Sequence, residues 1–131
     1  MLEYCINSII EPREIAALRK SVGWNGMERS YKKALARSFL YICCFDDDNL
    51  IGFLDVVSNG ITDAYIQDVI VNPTYQGKGI ATTMMNMAID KLKQEGVYAI
   101  SVLFEKELLS FYEKFGFNIM MAGQMTTREE D

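Results

Sequence analysis

A β-branched apolar run that stops at a proline, followed by a two-glycine turn and a long amphipathic pattern, constrains this chain more than any other feature. The segment is Gln67-Asp68-Val69-Ile70-Val71-Asn72-Pro73-Thr74-Tyr75-Gln76-Gly77-Lys78-Gly79-Ile80-Ala81-Thr82. It predicts a central strand over Tyr65–Val71, a tight loop, and a helix over Gly79–Glu95 stopped by Gly96. Such a corner gathers several backbone N–H groups and the positive end of a helix dipole at one point. That point suits a phosphate or pyrophosphate. The plainer alternative is a tight strand–helix connection with no ligand.

The predicted helix has apolar rows Ile80-Met84-Met87 and Ala81-Met85-Ala88-Leu92, and a polar stripe through Thr82, Thr83, Asn86, Asp90 and Lys93. One face therefore lies on a sheet. Before it, Leu2–Ile10 reads as a strand, and Pro12 opens a helix that runs toward Gly23. Trp24-Asn25-Gly26 is a loop, and Ser30–Arg37 a second helix. Ser38–Phe45 and Leu50–Ser58 form a hairpin about the turn Asp46-Asp47-Asp48-Asn49. After it come a strand over Val97–Phe104 and a helix over Glu107–Phe115 ended by Gly116. Phe117–Met121 and Gln124–Thr127 are expected to close the sheet as a hairpin. The order predicts one α/β (α+β) domain over residues 1–131: a mixed, mostly antiparallel sheet with helices packed on both faces and one βαβ crossover.

Composition narrows the chemistry. The chain has 131 residues and a net charge of −5, with no basic cluster. Nucleic acid is disfavoured, and a cationic partner such as an amine is favoured. No apolar run approaches the ~18–20 residues that cross a bilayer. The N-terminus lacks a signal-peptide pattern, so a cytoplasmic location with no membrane partner is expected. The odd number of cysteines, Cys5, Cys43 and Cys44, points to reduced thiols, with Cys43 and Cys44 as buried strand residues. There is no histidine. Histidine-based nucleophile systems and histidine-ligated zinc are thereby excluded, and no metal is implied.

The loop fails two common phosphate patterns. The Walker spacing is absent, and Gly77-Lys78-Gly79-Ile80-Ala81-Thr82 puts threonine where a dinucleotide fingerprint has its third glycine. The pattern Gln76-x-x-Gly79-x-Ala81 after Val69-Ile70-Val71-Asn72-Pro73 instead resembles the acetyl-CoA signature of the GNAT superfamily of N-acetyltransferases. Glu107-Leu108-Leu109-Ser110-Phe111-Tyr112-Glu113-Lys114-Phe115-Gly116-Phe117 resembles that family's late Phe-Tyr-x-x-x-Gly-Phe segment. The element order agrees along essentially the whole chain.

The resemblance implies acetyl-CoA as co-substrate. Gln76, Gly77, Lys78, Gly79, Ile80, Ala81 and Thr82 would hold the pyrophosphate. Val69, Ile70 and Val71 would bond the pantetheine arm through their backbone, which requires the central strand to part from Val97–Leu103. Tyr112 would protonate the departing thiolate; its alternative is aromatic packing beside Phe111 and Phe115. The acceptor, a small-molecule or peptide amine, would meet Trp24, Tyr65 and Gln67. Trp24 serves a packing role equally well. Small relatives often pair, so a homodimer is expected on the same footing.

Two positions depart from the family. Gln67 stands where a glutamate base is frequent, and Glu105 where many relatives have asparagine. Strand alternation sends Asp68 away from the substrate side. The base is left open among Asp55, Asp63 and a water chain. The implied activity is direct acetyl transfer to a primary amine. A non-catalytic acyl-CoA-binding module is the alternative that Gln67 favours, and a nucleotide-binding protein is a third.

Overall fold

The computed structural model describes residues 1–131. Five strands form one sheet in chain order: β1 (Leu2–Ile6), β2 (Leu40–Asp46), β3 (Asn49–Ser58), β4 (Asp63–Val71) and β5 (Ala99–Val102). The first four are antiparallel neighbours, and β5 runs parallel to β4. The crossover between β4 and β5 is α3 (Ile80–Gln94). The expected mixed sheet with a single βαβ unit is therefore present.

Helices cover both faces. Helices α1 (Pro12–Ser21) and α2 (Glu28–Arg37) lie on one side, where Ile15, Leu18 and Tyr31 bury against Cys43, Phe53 and Ile70. On the other side α3 packs Ile80, Met84, Met85, Ala88 and Leu92 against Ile42, Leu54, Val56 and Ile66. These strand residues alternate between the two clusters, as a period of two requires. Gly52 lets the first turns of α3 sit close to the sheet. A Cβ there would lie 3.2 Å from both Ile80 Cγ2 and Met84 Sδ. The start of α3 is thus placed by packing, immediately beyond the end of β4.

Several boundaries differ from the sequence expectation. The first strand ends at Ile6, because Asn7 turns left-handed (φ 57°) and its side chain accepts from the Tyr41 N–H at 2.9 Å. The last strand keeps only Ala99–Val102 of the expected Val97–Phe104. The last helix is a 3-10 turn, Lys106–Leu108, followed by α4 (Leu109–Glu113). The expected closing hairpin is absent: residues 117–131 form no strand. Ile119, Met120, Met121 and Met125 are exposed there, so the apolar residues that suggested strands have no sheet face to cover. No helix is long and apolar enough to cross a membrane. Cys43 and Cys44 are buried as expected, and burial pushes the Cys43 thiol up to about 12.

Candidate active site

The corner after β4 is built as its sequence suggests. Pro73–Tyr75 form a 3-10 turn capped by Asn72, whose side chain accepts from the Thr74 N–H at 3.0 Å. The Tyr75 hydroxyl donates to Asp46 Oδ2 at 2.5 Å, which ties the turn to the end of β2. The Gln76 amide donates to the Val71 carbonyl at 3.0 Å and pins the loop to its own strand. Gly77 and Gly79 both have φ 81°, a region that L side chains rarely adopt. No N–H from Gly77 to Thr82 donates to a protein acceptor, and the first intrahelical bond comes from Thr83 to the Gly79 carbonyl. Six successive free donors at the start of a 15-residue helix make an anion cradle. The Gln76 N–H is set apart from them, because it donates to the Pro73 carbonyl at 3.3 Å.

Two cations stand beside this cradle. Lys78 lies over the Tyr75 ring, 5.6 Å from its centroid. Lys114, just past α4, donates to Thr82 Oγ1 at 2.7 Å and so puts its ammonium at the first turn of α3. Sequence reasoning missed Lys114. The contact joins residues far apart in the chain, and no local pattern announces it.

The strand ahead of the corner has an open edge. β4 pairs with β5 only over Asp63–Ile66, opposite Ala99–Val102. Gln67 to Val71 therefore have no β5 partner, and their outer backbone groups are open to an added extended chain. On the β3 side, Phe53 pairs with Ile70 and Asp55 with Gln67, so Leu54 alone faces both Asp68 and Val69. This is a β-bulge, and Asp68 carries it in the left-handed region (φ 54°).

The bulge overturns the expectation that Asp68 points away from Gln67. Alternation resets at the extra residue, and both side chains lie on the α1/α2 face. Gln67 donates to Asp55 Oδ2 at 3.0 Å. Asp68 Oδ2 accepts from Arg19 Nη1 at 2.8 Å and from the Tyr31 hydroxyl. Arg19 is further held by the Asn25 carbonyl (2.6 Å) and side chain (2.9 Å). Burial and the neighbouring Asp68 carboxylate push the Tyr31 phenol well above its usual range.

Tyr112 sits on α4 with a buried ring, stacked on Phe104 at 4.5 Å and met edge-on by Phe111 at 4.9 Å. The packing alternative therefore describes the ring correctly. Its hydroxyl makes no hydrogen bond, yet the sole fully enclosed side-chain N or O atom without a partner in the protein is Asp55 Oδ1. The Tyr112 hydroxyl is thus not fully enclosed. Burial, with the nearby Tyr65, raises its pKa, so it holds its proton at neutral pH.

A groove of about 1010 Å³ opens on the α1/α2 face, with Asp55, Gln67, Ser38, Lys33 and Arg37 among its walls. Tyr65, half-buried, pairs across the sheet with Val57, which lines the same groove. Trp24 is not part of this wall; its ring lies against the Arg19 guanidinium, 5.3 Å from the centroid. Asp63 is exposed at the start of β4.

Known proteins share the family and the fold of this chain. Residues 9–117 match the acetyltransferase (GNAT) family model. The chain is 31% identical over 118 residues to a Gracilaria tenuistipitata var. liui protein described as an uncharacterized N-acetyltransferase, ycf52. That match covers 85% of this chain and 64% of the relative, so the chain spans just under two thirds of the relative's length. A probable acetyltransferase of unknown function from meticillin-resistant Staphylococcus aureus superposes with a TM-score of 0.87 at 24% identity, over 98% of this chain and 100% of that one. A GNAT family acetyltransferase from Streptococcus pneumoniae superposes with a TM-score of 0.81 at 26% identity, over 99% and 100%. The chain belongs to the GNAT family of acetyltransferases.

Proposed function

We propose that this protein transfers an acetyl group from acetyl-CoA directly to a primary amine. The observation that carries the reading is the continuous donor surface made by the free β4 edge and the six unpaired N–H groups that follow it. An extended pantetheine arm fits the edge, and a diphosphate fits the cradle. Gln76 contributes its side chain to loop position, while Gly77 to Thr82 contribute N–H groups.

Chemistry then needs little beyond positioning and polarisation. An N–H on the open edge at Val69–Val71 polarises the thioester carbonyl. The Tyr112 hydroxyl, protonated and unengaged, supplies a proton to the leaving sulfur. The charged walls of the acceptor groove are mixed: Lys20, Arg29, Lys33 and Arg37 stand there with Glu28, Asp55, Glu129, Glu130 and Asp131.

Calorimetry with acetyl-CoA and with CoA tests the donor site. Thiol release over a panel of amines and short peptides tests transfer. Binding without amine-dependent release would support the acyl-CoA-binding alternative that Gln67 favours, and absent binding would refute both.

A further inference from the structure

Gln67 removes a carboxylate from the β4 position that faces the acceptor groove, yet the groove does not lack one. Asp55 lies directly across the strand pair from Gln67 and is one of the groove's lining residues. It is 2% exposed. Its Oδ2 accepts from the Gln67 amide at 3.0 Å, and its Oδ1 has no partner. The Ser38 hydroxyl lies beside the carboxylate, where it lowers the Asp55 pKa, and is also 3.2 Å from the Ala34 carbonyl. A buried carboxylate oxygen without a donor is costly and uncommon in a folded protein. Here that oxygen is enclosed at the wall of the groove that Asp55 lines, so an amine reaches it only once neighbouring side chains shift.

We infer that Asp55, oriented by Gln67, is the acceptor-side base: its unpartnered oxygen receives the ammonium group and takes its proton. The inference rests on the transferase reading. The ammonium gives one proton to Asp55 and becomes a neutral amine. The nitrogen lone pair attacks the thioester carbonyl carbon. The C–S bond breaks, its electron pair leaves on sulfur, and that sulfur takes the Tyr112 proton. The second proton lost by nitrogen restores Tyr112, and Asp55 releases its proton to water.

The surroundings of Asp55 suit the task. Burial raises its pKa, Ser38 and Gln67 pull it back down, and Asp68 pushes it up again. Tyr31 from α2 and Tyr41 from β2 also feel its charge. Lys33 and Arg37 of α2 line the same groove with the carboxyl groups of Glu28, Glu129, Glu130 and Asp131, and Arg19 of α1 is committed to Asp68. A carboxylate held in part against ionisation is a stronger proton acceptor than a solvated one once it is ionised.

The test uses the purified full chain, acetyl-CoA, and the best acceptor from the amine and peptide panel. Asp55→Asn should lower kcat about 100-fold or more, while acetyl-CoA affinity by calorimetry stays within about twofold. Moving the carboxylate across the strand pair, in D55N/Q67E, should restore about tenfold or more of the loss. Thermal melts give a readout apart from turnover. A raised folded-state pKa means stability that is full below the unfolded carboxylate pKa and is lost as pH rises through the folded one. The D55N melt should lack that decline. Gln67→Leu leaves Asp55 in place and should shift the acidic limb of the rate profile upward by about one pH unit. Asp55→Asn turnover within about threefold of wild type, or an unmoved limb in Gln67→Leu, would overturn the assignment. No wild-type thiol release with any amine, despite donor binding, would instead remove the transferase reading on which it rests.

Discussion

Replacing Asp68 offers the sharpest test of how the bulge is held. Asp68 carries two separate burdens. It bonds Arg19, whose side chain is 8% exposed, and Tyr31, and it occupies φ 54° in a strand. Two unit charges about 4 Å apart attract by ~4 kcal/mol at an effective dielectric of 20. Breaking a buried pair costs about 3–5 kcal/mol. Two features bring this down: Asp68 is 22% exposed, and Arg19 retains both Asn25 contacts. We expect the lost pair to cost about 2–3 kcal/mol. Alanine adds about 1 kcal/mol of left-handed strain that glycine avoids. Asparagine tolerates the conformation and still accepts a hydrogen bond, so it should lose only about 1–2 kcal/mol. The expected stability order is wild type, D68N, D68G, D68A. An ordinary strand position ranks alanine above glycine. Urea unfolding followed by circular dichroism, with linear extrapolation, reads these differences directly. Alanine equal to or better than glycine, or a D68A loss below about 1 kcal/mol, would refute the account of a bulge pinned by Arg19 and Tyr31.

The remaining predictions concern the two binding surfaces. Gly79→Val meets open space but must hold φ 81°, so a backbone cost of about 1–3 kcal/mol should distort the cradle. Calorimetry should show acetyl-CoA affinity down by about tenfold or more, with the far-ultraviolet spectrum preserved. Tyr112→Phe keeps the stacked ring and loses the hydroxyl; kcat should fall about 100-fold with donor affinity unchanged, and an unchanged rate would leave only the packing role. Lys114→Ala should weaken acetyl-CoA binding severalfold, more at low salt than at high, because the ammonium at Thr82 is screened. Charge reversal in K33E/R37E makes the groove wall more acidic and should raise kcat/KM for peptides with basic residues next to the amine relative to those with acidic ones.

Local patterns carried much of this molecule. The β-branched run, Pro73, the glycine pair and the 3.6-residue rows of α3 each encode a short-range preference, and those preferences agree with one another. The corner is therefore legible before any contact is known. Tyr112 was legible by motif, although only the structure separates its packed ring from its free hydroxyl. The closing hairpin was misread because Ile119, Met120 and Met121 are apolar, and apolarity alone does not supply a partner strand. Trp24 suggested a pocket wall, while its place depends on a guanidinium presented from α1.

The sequence by itself determined the order of elements, the βαβ unit, and the strand–turn–helix corner, since turn chemistry and side-chain period act within a few residues. Tertiary structure decided what faces what. The bulge at Asp68 shifted the alternation by one residue and drew Arg19 and Tyr31 to it. Strand register placed Asp55 opposite Gln67. Packing of α4 delivered Lys114 to Thr82, and folding gathered charges of both signs around one groove. Each of these depends on residues distant in sequence meeting in space, and such meetings leave no mark in spacing or composition.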